Sequence, residues 1–144
     1  MIRIFSAEDI DSIMDIWLEG NIQAHEFIPE RYWTHNYDLV RSLISEAEVY
    51  VYENVTESNS IAGFIGLQDN YIAGLFIRED ARSKGIGKQL LDFVKPQKQH
   101  LSLHVYKQNE RAVSFYLREG FAVYSENLDE ATGAIEYEMH WNCS

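Results

Sequence analysis

The sequence predicts a single α/β (α+β) domain in which helices flank a mixed, mostly antiparallel sheet of six or seven strands. Two observations predict it. Short segments with apolar residues at every second position alternate with segments whose apolar residues recur every three to four positions. In addition, 46% of the 144 residues are hydrophobic, and a chain of this size buries roughly 70% of its unfolded surface in one core. The predicted order, β-α-α-β-β-β-α-β-α-β-β, runs through residues 1–144 without a repeat or linker.

The first half begins with a short strand over the first five residues and continues with two helices. Ser6 and Asp9 form the S-x-x-D signature of a helix start, and the apolar residues that follow lie on one helical face. Gly20 is predicted to end this first helix. A turn at 25–29 leads into a second helix that is predicted to run to about residue 47.

Three strands then bring the chain to the centre of the sheet. The third of them is apolar on both faces, as expected for a strand that is covered on both sides. A polar loop joins the first two strands, and a tight turn joins the last two. The predicted bounds are 48–55, 61–68 and 71–77 for the strands, 56–60 for the loop and 69–70 for the turn.

The second half is predicted to contain a helix, a strand, another helix and a closing hairpin. Gly120 lies where the last helix is expected to need a left-handed cap. The predicted bounds are 85–98 and 109–119 for the helices, 101–105 for the strand, and 121–128 and 134–141 for the hairpin.

The charge balance narrows the set of partners. Twelve basic and 23 acidic side chains give a formal charge of −11, so nucleic acids and anionic membrane surfaces are not expected to bind. The same negative charge mildly attracts cationic amines. A role in keeping the protein soluble would also explain the charge. Because no apolar run approaches about 18 residues and no apolar leader opens the chain, we expect a cytoplasmic protein. The single Cys143 predicts no internal disulfide.

The sharpest local signal lies between a buried strand and a helix. A helix start leaves backbone N–H groups unpaired and carries the positive end of the helix dipole. Two glycines let the backbone approach an anion closely, and three basic side chains add positive charge. These features are typical of a pyrophosphate site. The residues are Arg82, Ser83, Lys84, Gly85, Ile86, Gly87 and Lys88.

Alone, this segment would also fit an ordinary turn between a strand and a helix. It is not a Walker phosphate-binding loop, because Gln89 rather than Ser or Thr follows Lys88. Nor is it a dinucleotide-binding fingerprint, which needs a third glycine.

A second motif at 109–121 supplies the context that the first motif lacks. Asn109 can cap a helix, and Tyr116 follows about two turns later, although a tyrosine packed in the core would look the same. The predicted order of elements and the two motifs together resemble the GNAT superfamily of N-acetyltransferases, over nearly the whole chain. The motifs are Arg82-x-x-Gly85-x-Gly87 and Asn109-x-x-Ala112-x-x-Phe115-Tyr116-x-x-x-Gly120-Phe121.

The resemblance implies that acetyl-CoA is the acetyl donor and that no metal takes part. It also implies a slot for the donor where strand 71–77 splays away from strand 101–105. Residues 82–88 would hold the pyrophosphate, and Tyr116 would lie near the thioester sulfur. The pantetheine arm would bind Asn109 and the backbone groups of Leu75, Phe76 and Ile77.

Acetyl transfer by direct attack in a ternary complex needs a base and benefits from an acid. An alkylammonium group has a pKa near 10, so a base must take its proton before the nitrogen can attack. His104 is the candidate base, with Asp69 and Glu53 as alternatives, and a purely structural histidine would fit His104 as well. The Tyr116 hydroxyl is the candidate general acid for the departing thiolate.

The first two helices and the closing hairpin are expected to select the amine, which could be a small molecule, a peptide N-terminus or a lysine. The protein could act as a monomer or as a homodimer. Two other functions stay open: a non-catalytic acyl-CoA-binding regulatory module, and a nucleotide-binding regulatory domain. One group of residues could line the amine pocket or could simply pack helix against sheet: His25, Phe27, Tyr32 and Trp33.

Overall fold

The computed structural model describes residues 1–54 and 60–143. Within them, one sheet has seven strands in the order β1-β2-β3-β4-β5-β7-β6. Neighbouring strands are antiparallel except for β4 and β5, which are parallel. The predicted fold class is therefore confirmed. The strands are β1 Ile2–Ile4, β2 Glu48–Asn54, β3 Ser60–Gln68, β4 Tyr71–Ile77, β5 His100–Tyr106, β6 Ala122–Asp129 and β7 Ala134–Asn142.

The described residues contain five α-helices, which cover both faces of the sheet. The first three pack on one face, mainly over β3 and β4, while the other two pack on the opposite face. No helix in this part of the chain has both the length and the apolar character needed to cross a bilayer. The helices are α1 Ile10–Ala24, α2 Glu30–His35, α3 Tyr37–Glu46, α4 Ile86–Val94 and α5 Glu110–Arg118.

The strand that is covered on both faces is β3, not the predicted 71–77. Phe64 packs in the hydrophobic cluster beneath α1, while Ile65 and Leu67 pack in the cluster beneath α4 and α5. Residues 74–77 of β4 are only partly buried, because its neighbour β5 diverges from it. Some of the apolar residues of β4 therefore line an open slot and are not part of the core.

Three helix predictions differ from the structure. The helix predicted over 85–98 is α-helical only over Ile86–Val94 and continues as a short 3-10 turn over Lys95–Gln97, because Pro96 has no N–H to continue the α-helical hydrogen bonds. Helix α1 continues past Gly20 to Ala24, because the missing side chain admits the sheet: a Cβ at Gly20 would lie 3.1 Å from Cδ1 of Phe76. The predicted second helix breaks at Asn36, whose side-chain nitrogen donates to the Tyr32 carbonyl at 2.7 Å. The break gives α2 and α3.

Other local predictions are confirmed. Ser6 and Asp9 form a capping box in which the Ser6 N–H donates to Asp9 Oδ2 at 2.9 Å. Gly120 has the left-handed conformation, with φ of 94°, and the turn at 69–70 joins β3 to β4. The predicted loop at 56–60 lies outside the described residues except for Ser60, which begins β3.

The split between β4 and β5 is the feature of the sheet that positions the site. Among the described residues, these strands pair only at Tyr71 and Ser102. On its other side, β4 pairs with β3 along its length, with a register shift at Gly66. Beyond Tyr71 the edge of β4 that faces β5 is therefore free, as the predicted splay requires.

Candidate active site

A cavity of about 810 Å³ follows the free edge of β4. The carboxyl end of β4 and the turn that precedes α4 form one wall, and α5 forms the other. The end of α1 closes the space between them. One continuous space thus brings together the two sequence motifs and the predicted backbone contacts of Leu75, Phe76 and Ile77.

The turn before α4 has a backbone shaped to surround an anion. Ser83 and Gly85 both adopt positive φ, 65° and 78°, and Gly85 is the N-cap of α4. The next amides are the unpaired donors of a helix start, and closely spaced N–H groups in such a conformation form an anion-binding concavity. A Cβ on Gly85 would have no atom within 4 Å, and Gly85, Ile86 and Gly87 line the cavity.

The basic side chains of this turn are not equally available. The Arg82 guanidinium donates from Nε to the Ile77 carbonyl at 3.3 Å, within the wall formed by the end of β4 and the turn. Lys88 Nζ lies 3.4 Å from a carboxylate oxygen of Glu119 and 3.5 Å from one of Asp92, so neighbouring acids already balance its charge. Lys84 is exposed.

Tyr116 lies on α5 with its ring between Phe115 and Phe121, at centroid distances of 5.2 and 5.4 Å. Its side chain is buried but lines the cavity. Burial, and to a smaller extent the nearby Tyr71, raise the pKa of its hydroxyl. The group therefore remains protonated near neutral pH and can donate a proton. A packing role and an acid role are both compatible with this position.

Asn109 connects the cavity to the neighbouring aromatic residues. Its Oδ1 accepts from the Ala112 N–H at 3.3 Å, which caps α5, and its Nδ2 lies 3.2 Å from Nε2 of His25. The predicted contact of Asn109 with the pantetheine arm therefore involves a side chain that α5 and His25 already orient.

The four residues predicted to line the amine pocket form one aromatic cluster, but they do not share one environment. His25 is buried at the wall of the cavity and stacks on Trp33 at 5.3 Å. Trp33 is buried against Trp17 of α1, and Phe27 contacts His25 edge-on at 5.7 Å. Tyr32 lines a separate cavity of about 420 Å³ near the β6–β7 turn.

His25 is an unusual member of this cluster. Burial lowers its pKa, an effect that the Asn21 carbonyl partly opposes. Its Nδ1 has no hydrogen-bond partner among the described residues, and neither does Nε1 of Trp33. His25 is therefore neutral at pH 7 and sits between the donor cavity and the aromatic cluster.

The three candidate bases occupy different places. His104 lies on β5 beside the fork, with its side chain 37% exposed. Glu53 lies on β2, away from the slot, where its carboxylate accepts from Arg3 at 2.7 Å. Asp69 is in the exposed β3–β4 turn, at the end where β4 and β5 are still joined. Only His104 is next to the point where the strands separate.

The sequence reasoning missed three polar residues that surround His104. Tyr71 Oη lies 2.9 Å from His104 Nδ1, and Glu138 Oε1 lies 3.7 Å from His104 Nε2. Glu136 and Glu138 follow each other on the same face of β7 as His104 on β5, because Glu138 is paired with His104 in the register. The sequence did contain one signal for this group, because Glu136 and Glu138 occupy alternate positions of a predicted strand and therefore share one face of it.

No metal centre accompanies these residues. Residues 1–54 and 60–143 contain no group of three or more His, Cys, Asp or Glu side chains arranged to hold a metal ion.

Comparison with known proteins places the chain among acetyltransferases. Residues 22–143 match the family model described as "Acetyltransferase (GNAT) domain". The chain is 31% identical to the peptidyl-lysine N-acetyltransferase YiaC of Escherichia coli, over 98% of this chain and 96% of that protein. It is 34% identical to YjaB of the same organism, also named a peptidyl-lysine N-acetyltransferase, over 85% of this chain and 82% of that protein.

Solved structures share the fold. The solution structure of apo YjaB from Escherichia coli has a TM-score of 0.84 at 30% identity, covering 98% of this chain and 96% of that one. A Bacillus anthracis acetyltransferase, solved in complex with acetyl coenzyme A, has a TM-score of 0.60 at 20% identity. That match covers 68% of this chain and 63% of the other.

Proposed function

Because the chain belongs to the GNAT family of acetyltransferases, we propose that it moves the acetyl group of acetyl-CoA to the ε-amino group of a lysine in a protein or peptide. The single observation that carries this proposal is one cavity in which an anion-binding turn, a free strand edge and the Tyr116 hydroxyl meet. These three features suit, in order, the pyrophosphate, the pantetheine amides and the thioester of the donor.

A lysine acceptor is supported by the charge near the fork and by the relatives. Glu136 and Glu138 lie on the sheet face beside His104, and Asp129 follows at the end of β6. An ammonium group is attracted to such carboxylates, whereas an anionic acceptor is repelled. YiaC and YjaB, the two relatives described above, are both named for peptidyl-lysine acetylation.

The reaction that these residues support is direct transfer. A neutral amine forms the N–C bond to the thioester carbonyl, and the C–S bond then breaks. Tyr116 gives its proton to the departing sulfur, and the proton that the new amide nitrogen must lose replaces it, so Tyr116 ends neutral. The Tyr116 hydroxyl is protonated at neutral pH, so it has a proton to give when the thiolate forms.

The test is acetyl-CoA-dependent acetylation of a panel of lysine peptides, N-terminal amines and polyamines, followed by release of the coenzyme A thiol. We expect lysine peptides to be the best acceptors. Tyr116→Phe, which removes only the hydroxyl, should lower kcat about 100-fold, the lower end of the usual range for general acid catalysis. The matched control is Tyr50→Phe, at a hydroxyl that donates to Glu48 on β2. Donor binding without turnover of any amine would instead indicate a non-catalytic module.

A further inference from the structure

His25 and Asn109 join the end of α1 to the start of α5 at the wall of the cavity along β4. His25 is the C-cap of α1, and Asn109 is the N-cap of α5. Nε2 of His25 lies 3.2 Å from Nδ2 of Asn109, and both residues line the cavity. The contact therefore lies where a bound donor would meet both helices.

The cap of α5 decides the direction of this hydrogen bond. Oδ1 of Asn109 accepts from the Ala112 N–H at 3.3 Å, so the amide nitrogen is the atom that faces His25. Because an amide nitrogen only donates, Nε2 of His25 must accept. In a neutral imidazole one nitrogen accepts and the other carries the hydrogen, which places the hydrogen of His25 on Nδ1.

Packing does not explain why residue 25 is a histidine. Three aromatic rings surround it: Tyr106 at 5.1 Å, Trp33 at 5.3 Å and Phe27 at 5.7 Å between centroids. Nδ1 is buried and has no hydrogen-bond partner among the described residues, and a buried N–H without a partner lowers stability. A phenylalanine ring would suit these neighbours without that cost, whereas only the histidine offers an acceptor to Asn109.

We propose that His25 is a positioning residue for the donor, which fixes the amide of Asn109 so that its second N–H is available to a carbonyl of the pantetheine arm. The proposal rests on the acetyltransferase function proposed above. An amide nitrogen has two hydrogens, and His25 accepts only one of them. Since His25 and the Ala112 N–H together hold the amide in one orientation, donor binding does not have to order it.

This role assigns His25 to the donor and not to the amine pocket, where the sequence analysis grouped it with Phe27, Tyr32 and Trp33. The two roles make different kinetic predictions. Loss of a donor contact raises the KM for acetyl-CoA, whereas loss of an amine contact raises the KM for the peptide.

The test is titration calorimetry with coenzyme A, together with a thermal melt of each variant. His25→Phe keeps an aromatic ring and removes the acceptor. Its Kd for coenzyme A should rise about three- to tenfold, the effect of weakening one neutral hydrogen bond, while its melting temperature should equal or exceed that of the wild type. His25→Leu also lacks an acceptor and should give the same rise in Kd.

Two further variants separate positioning from packing. His25→Gln should keep the Kd within about twofold of the wild type, because the Gln side-chain oxygen can accept at nearly the place of Nε2. Asn109→Ser keeps a capping oxygen and removes the amide N–H. Adding His25→Phe to Asn109→Ser should raise the Kd no further, since both changes interrupt one path.

The matched control is His100→Phe, because Nδ1 of His100 lies 2.8 Å from Oδ1 of Asn142 outside the cavity. Its Kd for coenzyme A should equal that of the wild type. With a lysine peptide as acceptor, His25→Phe should raise the KM for acetyl-CoA and leave kcat and the peptide KM nearly unchanged.

Three results would overturn the positioning role. They are an unchanged Kd in folded His25→Phe or His25→Leu, a rise confined to the peptide KM, and an affinity loss in His25→Gln as large as that in His25→Phe. A wild-type chain that does not bind coenzyme A would refute the proposed function itself, whereas tight binding by both the wild type and His25→Phe refutes the role of His25 alone.

Discussion

The donor site can be tested with two glycines that share a backbone conformation and differ in location. Gly85 has φ of 78° at the turn before α4, and Gly133 has φ of 75° in the β6–β7 turn. A Cβ built on either one meets no atom within 4 Å. Gly85→Ala and Gly133→Ala therefore impose the same backbone strain without a clash, and only the first places a methyl group at the proposed pyrophosphate site.

The expected magnitudes follow from this geometry. A left-handed alanine costs about 1 kcal/mol, so each variant should melt roughly 2–4 °C below the wild type. At Gly85 the methyl group also keeps a phosphate oxygen away from the amides of the turn. A hydrogen bond to a charged group contributes about 1.5–3 kcal/mol, and 1.4 kcal/mol is tenfold in affinity. The Kd for coenzyme A should therefore rise about 10- to 100-fold in Gly85→Ala.

The assay is titration calorimetry with coenzyme A, together with a thermal melt of each variant. The Kd of Gly133→Ala should equal that of the wild type, although its melting temperature falls like that of Gly85→Ala. An unchanged Kd in a folded Gly85→Ala variant would refute the assignment of the turn. Equal weakening in both variants would show that backbone strain, and not the site, controls binding.

Two further predictions concern the acceptor and the fold. Glu136→Gln should raise the KM for a lysine peptide roughly 2- to 5-fold at low salt and less at high salt, whereas Glu130→Gln in the adjacent turn should not; an equal effect of both would point to net charge alone. Asp9 accepts two hydrogen bonds from Arg3, at 2.8 and 3.0 Å, and they hold its pKa below the usual value. Asp9→Asn should therefore lower stability by ~2 kcal/mol at pH 7. Melts should show this difference shrinking as the pH falls below about 4, the ordinary pKa of an aspartate, and disappearing once the pH is below the lowered pKa of native Asp9. Asp11→Asn, at an exposed pair with Arg41, should change little at any pH.

Local patterns predicted much of the fold because most elements carry their own signals. The capping box at Ser6, the cap at Asn109 and the left-handed Gly120 each depend on a few neighbouring residues. The prediction at Gly20 was wrong because a distant contact decides it. A glycine normally weakens a helix, but here Phe76 of β4 occupies the space that a side chain would need. Tertiary packing therefore extends α1 by a turn.

The candidate site also has one part that the sequence predicts and another that only the fold brings together. The anion-binding turn is contiguous in sequence, and its residue types could be interpreted directly. The polar group around His104 depends on three strands: Tyr71 opens β4, His104 lies in β5 and Glu138 in β7. Their proximity follows from the register of β5 with β7 and from the single pair between β4 and β5. No spacing along the chain encodes such a register, so Tyr71 read as an ordinary strand residue.

The side-chain charges of the turn also explain why its backbone matters most. Lys88 already pairs with Glu119 and Asp92, so binding an anion there must weaken existing ion pairs, and its net gain is small. Arg82 likewise gives up part of its contact with the Ile77 carbonyl. The amides that follow Gly85 have no competing partner, because a helix start leaves them unpaired. Since they are fixed by the fold and need no rearrangement, they would interact fully with a pyrophosphate bound at the proposed site. Blocking access to them at Gly85 should therefore reduce donor affinity more than removing either basic side chain.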